Sequence, residues 1–287
     1  MHYDGLKRLA SSGALTSVQG PVAAIIAEDE AQVEATIAHH RDRGFRSILL
    51  FAPAELSLDM DASGPVIRID FATRSPDTAP TIVNALVAAL PAGTWLYYCF
   101  NAEFLFYPFA EHRTVGEMLA FHAEERRASM LTYVIDAYAG DLTSHDDAVS
   151  LSDTWLDRSG YYANARVRDG AGLERQLDFH GGLRWRFEEH VPPDRRRIDR
   201  IAIVRPSPGI RLRPDHTWSR EELNTYACPW HNNLTAAIIS FRAAKALCTN
   251  PASQCHIDSF RWHNSLRFKW QSQQLMDLGL MEPGQWF

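Results

Sequence analysis

Residues 22–53 read VAAIIAEDEAQVEATIAHHRDRGFRSILLFAP, and this stretch decides the fold. The run 22–27 is short and apolar behind Pro21 and reads as a strand. Asp29 can open a helix in which Val33 and Ile37 fall four residues apart, one face of a 3.6-residue repeat, and Gly44 stops it. The run 47–51, closed by Pro53, is a second strand. Strand, helix and strand within about 30 residues form the unit that builds a parallel sheet through a right-handed crossover.

Working outward, residues 66–71 read as a third strand, 81–90 as a helix and 94–100 as a fourth strand. The first hundred residues therefore predict a doubly wound, mostly parallel α/β sheet. Residues 114–128 carry Val115, Met118, Leu119 and Phe121 against a Glu/Arg-rich face, an amphipathic helix, and 130–138 is another strand. From 140 to 220 the chain is rich in Asp, Arg, Gly and Pro, which predicts a loop-rich second half, and long loops on an α/β scaffold usually carry sites. Residues 234–247 resume helical periodicity, and 257–280 read as a mostly helical, aromatic and basic C-terminal tail. The expected organisation is an N-terminal extension (1–20), one α/β domain (21–250) and the tail (251–287).

Of 287 residues, 46% are apolar and 22% charged, which fits a folded chain and not a disordered one. The formal net charge of −6 provides no global field for a nucleic-acid backbone. Lys7 and Arg8 precede a segment, 9–14, too short and polar for an export signal. The apolar run 82–100 is divided by Asn84 and Pro91-Ala92-Gly93, so no transmembrane segment is expected, and a cytoplasmic location with reduced thiols follows. Cys228, His231, Cys248, Cys255 and His256 are zinc-ligand types at the wrong spacing, and Asp59-Met60-Asp61 reads as a solvated turn. Dinucleotide, P-loop and serine-hydrolase glycine motifs are missing.

A further set of motifs occurs in order: Glu28-Asp29, His39-His40, Gly44-Phe45, then Gly93-Thr94-Trp95 leading into Phe100-Asn101-Ala102-Glu103-Phe104-Leu105 and Tyr107-Pro108. Asp136-Ala137-Tyr138 and Gly181-Gly182-Leu183-Arg184-Trp185-Arg186 follow. With these, residues 22–247 resemble the family 2-like glycosyltransferases with the type-A nucleotide-sugar fold, here with a degenerate Asp-x-Asp motif. The resemblance implies transfer of a sugar from a nucleotide-sugar donor to a glycan acceptor, as in polysaccharide biosynthesis. It also implies a divalent cation at the diphosphate, held by two carboxylates one residue apart. Phe100 and Ala102 stand at those two positions, Ser240 stands where the family has a histidine, and Ala52-Pro53-Ala54-Glu55 replaces a polar nucleotide loop. No metal or other cofactor is therefore expected.

Arginine forks can bind phosphate without an ion, so Arg184, Arg186 and Arg242, with Arg205, are the candidates for the donor diphosphate. The competing reading pairs Arg184 and Arg186 with Asp or Glu inside the second half. Glu103 is the candidate catalytic base, with Asp153, Glu188, Glu189 and the Asp215-His216 pair also eligible. Arg213, before Asp215, is taken as a bystander. In the tail, Phe260, Trp262, Phe268 and Trp270 alternate with Arg261, Arg267 and Lys269, a pattern for core packing or for a peripheral membrane, sugar or protein contact. The alternative function is a non-catalytic descendant that binds a glycan or a protein.

Overall fold

The computed structural model describes residues 1–58, 66–229 and 231–286, so Asp59-Met60-Asp61 and Trp230 lie outside the described residues. In chain order, His2–Tyr3 (β1) and Leu6–Ser11 (α1) precede Val22–Ile26 (β2), Val33–Asp42 (α2), Ser47–Ala52 (β3) and Val66–Asp70 (β4). Thr78–Ala89 (α3), Leu96–Phe100 (β5), Glu103–Phe106 (β6), Val115–Glu124 (α4) and Ser129–Ala139 (β7) follow. Next are Thr154–Asp157 (β8), Tyr162–Arg168 (β9), Ala171–His180 (β10), Leu183–Arg186 (α5) and Asp199–Val204 (β11). Ala236–Ser240 (β12), Arg242–Thr249 (α6), Ser265–Arg267 (β13) and Ser272–Asp277 (α7) complete the chain. It is an α/β protein with a mixed, mostly parallel central sheet.

Two compact units divide the chain without following its order. Unit 1 comprises Met1–Ala102, His112–Leu131 and Ile201–Asn224; unit 2 comprises Glu103–Glu111, Thr132–Arg200 and Thr225–Phe287.

In unit 1 the strands run β1-β4-β3-β2-β5, all parallel, with Ile203 and Val204 antiparallel to β5. Every residue of β2 and β5 is buried, as a parallel strand covered on both faces must be. The order reverses at β2, which has β3 on one side and β5 on the other. The strand–helix–strand unit read from the sequence is present as β2, α2 and β3, with β2 and β3 parallel. Within the first twenty residues, β1 pairs with β4, and Leu9 and Leu15 are buried. Helix α2 starts at Val33 and not at Asp29, because Asp29 Oδ1 accepts from the Ala31 N–H (3.0 Å) and holds that segment in a turn. Helix α4 starts on a reciprocal capping box between Thr114 and Glu117.

Unit 2 contains β7 and β12 in parallel, with β6 antiparallel to β12. Strand β8 pairs with β7 and β13 with β8, both antiparallel. The expected loops of 140–220 hold β8 and the β9–β10 hairpin. The hairpin turns on Asp169-Gly170, both at positive φ (52° and 80°), the geometry that an Asp-Gly two-residue turn supplies. Residues 234–247 are not one helix: Ala236–Ser240 is a fully buried strand and helix begins only at Arg242. A short apolar run cannot by periodicity alone distinguish strand from helix. The tail is also less helical than expected, with only α7 as α-helix. Its aromatic and basic residues lie mostly outside helix, with a short strand at β13, and Phe260 and Phe268 are buried. Among the described residues, no helix is long and apolar enough to cross a membrane.

Candidate functional site

An open sheet whose strand order reverses leaves a crevice outside the carboxyl ends of the strands on either side of the reversal, here β2 and β5. The loops at those ends are tied together. Asn101, directly after β5, accepts from the Glu28 N–H through Oδ1 (2.9 Å). Its Nδ2 donates to Asp29 Oδ1 (2.6 Å) and to the Ala31 carbonyl (2.9 Å). From the end of β4, Thr73 Oγ1 donates to the Ala27 carbonyl (2.6 Å) and the exposed Arg74 donates through Nε to the Glu28 carbonyl (3.1 Å). Beside these loops, residues 53–55 and 70–74 line an open cleft of about 370 Å³. Arg68 fixes its far wall, donating to the Pro53 (3.1 Å) and Leu56 (2.8 Å) carbonyls and to Asp70 Oδ1 (3.3 Å). Burial pushes the Asp70 carboxyl up, but His2 and Arg68 outweigh it and hold it below the usual range. Polar groups and backbone converge on a pre-formed cleft carrying one exposed guanidinium, a setting for a small polar or anionic ligand.

The positions that would hold a divalent cation do not fit one. Phe100 is apolar and buried, Asn101 has committed its carboxamide to the β2 loop, and Ala102 is buried with its N–H donating to Thr36 Oγ1 (3.0 Å). Among the described residues, no group of three or more His, Cys, Asp or Glu side chains could hold a metal.

In unit 2 the predicted site residues are enclosed and ion-paired. Glu103 is fully buried against Arg200, whose Nη1 and Nη2 donate to its two oxygens at 2.6 and 3.0 Å. Ser240 Oγ donates to the same carboxylate at 3.0 Å. A carboxylate so engaged is stabilised as an anion and has no free geometry for taking a proton. Arg184 donates to Asp136 through its backbone N–H and Nε (both 3.2 Å) and to the Arg197 carbonyl (2.7 Å). Burial raises the Asp136 carboxyl above its ordinary range, against the opposing pull of Arg184. Arg186 grips both Asp157 oxygens (3.1 and 3.2 Å) and donates to the Phe260 carbonyl (2.8 Å). Asp157 also accepts from Tyr138 Oη (2.6 Å) and Trp262 Nε1 (2.8 Å).

The Gly181-Gly182 pair explains itself in this setting. A Cβ at Gly181 would stand 2.3 Å from the Tyr161 ring, and one at Gly182 would stand 3.0 Å from Asp136 Oδ2. Glycine at 182 also tolerates its positive φ of 63°.

The remaining candidates scatter. Arg242 opens α6, and its backbone N–H donates to Ser240 Oγ (3.3 Å). Arg205 lies over the Trp95 ring, 5.7 Å from its centroid. His216 stacks on Tyr98 and bonds its hydroxyl through Nδ1 at 2.9 Å, while Asp215 accepts from Thr217 in a local turn. Arg213 braces its own loop, donating to Thr217 Oγ1, the Ser219 carbonyl and Glu221, and also to the Trp218 carbonyl. Asp153 accepts from Trp155 Nε1, and Glu188 pairs with Arg196. Cys228 donates to Asn233 Oδ1, and all four cysteines are free thiols.

Sequence reasoning missed Arg200, Asp157, Arg74 and the buried Arg166–Asp199 pair. The signal for two of them was present, since Asp199-Arg200 places two charges at the head of the apolar run 201–204. No protein-family model matches this chain, and no curated protein matches it.

Proposed function

We propose that this chain is a glycosyltransferase-like protein of the type-A fold that binds a nucleoside diphosphate or nucleotide-sugar at the crevice outside the carboxyl ends of β2–β5. One observation carries the reading: the strand order reverses between β3 and β5, and the loops leaving β2, β4 and β5 are bonded into one pre-formed rim. The motif order from Glu28 to Arg186 supports it. Arg74 is the cation in reach of a phosphate on that rim. The diphosphate role proposed for Arg184 and Arg186 would require them to leave buried aspartates, at a cost of several kcal/mol each.

Sugar transfer to a glycan is the reaction that the resemblance implies. The second reading is a non-catalytic descendant, and the closed Glu103–Arg200 pair favours it. Thermal melting with uridine- and guanosine-diphosphate sugars, in chelator, tests binding. A ligand at a hundred times its dissociation constant adds about 2.7 kcal/mol, a rise in Tm of roughly 5 °C for a chain of this size. That rise with one nucleotide, reduced in Arg74→Ala, is the expected result; no rise with any nucleotide overturns the reading. Release of free nucleoside diphosphate on adding glycan acceptors to a stabilising donor separates the enzyme from the binding protein.

A further inference from the structure

Unit 1 holds a second cleft, along α3, and we propose that it binds a short peptide, two or three residues long, with both ends ionised. The cleft is open, has a volume of about 540 Å³, and is lined by Asp77, by Pro80, Thr81, Asn84 and Ala85 of α3, and by Arg211. Positions 77, 81, 84 and 85 recur at three- and four-residue steps and so share one face of the helix. Asp77 stands at the N-cap, where an aspartate ordinarily accepts from first-turn N–H groups, but its side chain makes no capping bond. Arg211 is exposed on a fixed backbone. Its N–H donates to Ser219 Oγ (2.9 Å) and its carbonyl accepts from the Ser219 N–H (2.8 Å). The next residue, Leu212, is strapped to α3, its N–H donating to Asn84 Oδ1 (2.7 Å) and its carbonyl accepting from Asn84 Nδ2 (3.1 Å). Among the described residues, neither the Asp77 carboxylate nor the Arg211 guanidinium has a hydrogen bond or an ion pair.

One cleft thus presents two charges of opposite sign that do not meet each other. Seven residues, about 10 Å of helix, separate Asp77 from Asn84, to which the Arg211 loop is tied. An extended chain covers about 3.3–3.6 Å per residue, so two or three residues carry an ammonium to Asp77 and a carboxylate to Arg211. A free amino acid, with both charges on one carbon, is too short. The guanidinium fork suits the two oxygens of a carboxylate. The full charge of Asp77 exceeds the roughly half charge of the helix end beside it, so an ammonium is attracted there. Thr81, exposed one turn along, offers a hydroxyl to the peptide backbone, and Pro80 and Ala85 give small side chains an apolar wall. A lone anion would meet Asp77 and a lone cation would meet Arg211, which leaves a ligand carrying both charges as the one that fits.

Heteronuclear NMR titration of the full chain with tri-alanine tests the proposal, with N-acetyl-tri-alanine, tri-alanine amide, free alanine and acetate as the other probes. Tri-alanine should bind with a Kd on the order of 1 mM, as suits a ligand of its size at an exposed site. Blocking either end should weaken binding about threefold or more, and free alanine and acetate should bind more weakly still. Asp77→Asn and Arg211→Gln should each weaken tri-alanine by a similar factor. Asp77→Asn should no longer distinguish tri-alanine from its N-acetyl form, nor Arg211→Gln tri-alanine from its amide. An unchanged Tm shows that both variants fold, and the blocked peptides test the same contacts on wild type. Absence of binding, equal binding of the free and blocked peptides, acetate bound as tightly as tri-alanine, or equal binding of tri-alanine by wild type and either variant overturns it. Arg74→Ala should leave tri-alanine binding unchanged, and Arg211→Gln should leave nucleotide-induced melting shifts unchanged, so this proposal and the nucleotide reading fail separately.

Discussion

Strands β2, β3 and β5 of unit 1 carry no charged residue, whereas β6, β7, β8 and β11 place Glu103, Asp136, Asp157, Asp199 and Arg200 in buried positions. Around the reversal, unit 1 is held by the apolar strands β2, β3 and β5, and polar groups gather in the loops at the carboxyl ends of β2 and β5. Unit 2 closes its carboxylates on arginines inside the fold. The difference teaches where ligand chemistry can occur: a rim of loops can exchange a partner for a ligand at little cost, while a buried ion pair gives up its partner only with a large loss of stability.

The hardest test of that contrast is Arg200→Ala. It leaves the Glu103 carboxylate buried without its guanidinium, and the loss should be about 3–5 kcal/mol. Urea denaturation measures it. The double change Glu103→Leu with Arg200→Met removes both charges and should recover most of the loss, because an apolar pair of similar volume replaces a desolvated one. A single variant within 1 kcal/mol of wild type would mean that Glu103 is not committed to Arg200, and would return it to candidacy as a base.

Among the buried ionisable groups of unit 1, His122 is kept neutral. Burial lowers the His122 imidazole from near 6.5 to about 4, and its Nε2 lies 2.7 Å from the Ser129 carbonyl. Below pH 6.5 the unfolded chain takes up a proton that the folded chain refuses until about pH 4. The stabilisation is therefore complete above pH 6.5 and lost as pH falls through that window, by about 3 kcal/mol in all. His122→Gln keeps a donor and should flatten the acid limb of stability against pH. An unchanged limb would assign acid sensitivity to the carboxylates of unit 2.

The same contrast explains what was legible in the sequence. The elements from β2 to β5 could be read because each is one contiguous run whose burial needs no distant partner. Their boundaries moved by a few residues, as at Asp29, where an Asx turn occupies the place of a first helical turn. The β9–β10 hairpin escaped because β9 is largely exposed, β10 is mostly only half-buried and neither carries an apolar face, although Asp169-Gly170 marked its turn. Strand β12 was hidden by its neighbour, since four apolar residues running into a helix look like helix. At the candidate site the positions lacking carboxylates were visible as letters. The partner of Glu103 was not, because Arg200 lies 97 residues away and nothing local marks it.

Asn101 joins the two questions of stability and ligand, and its effect should be the smallest of the three. Asn101→Ala removes one bond to the Glu28 N–H, one to Asp29 and one to the Ala31 carbonyl. Three partly exposed hydrogen bonds at their usual net worth, with water replacing some of them, predict a loss of about 1–2 kcal/mol. Asn101→Asp should cost more than Asn101→Ala, because it sets a second carboxylate against Asp29 and removes the donor that now bridges them. The rim should loosen in both, so a nucleotide that raises the melting temperature of wild type should raise that of either variant less. If stability falls while the nucleotide shift is unchanged, Asn101 is only a brace and the ligand site lies nearer Arg74. If neither changes, the rim is not the pre-formed element that separates unit 1 from unit 2.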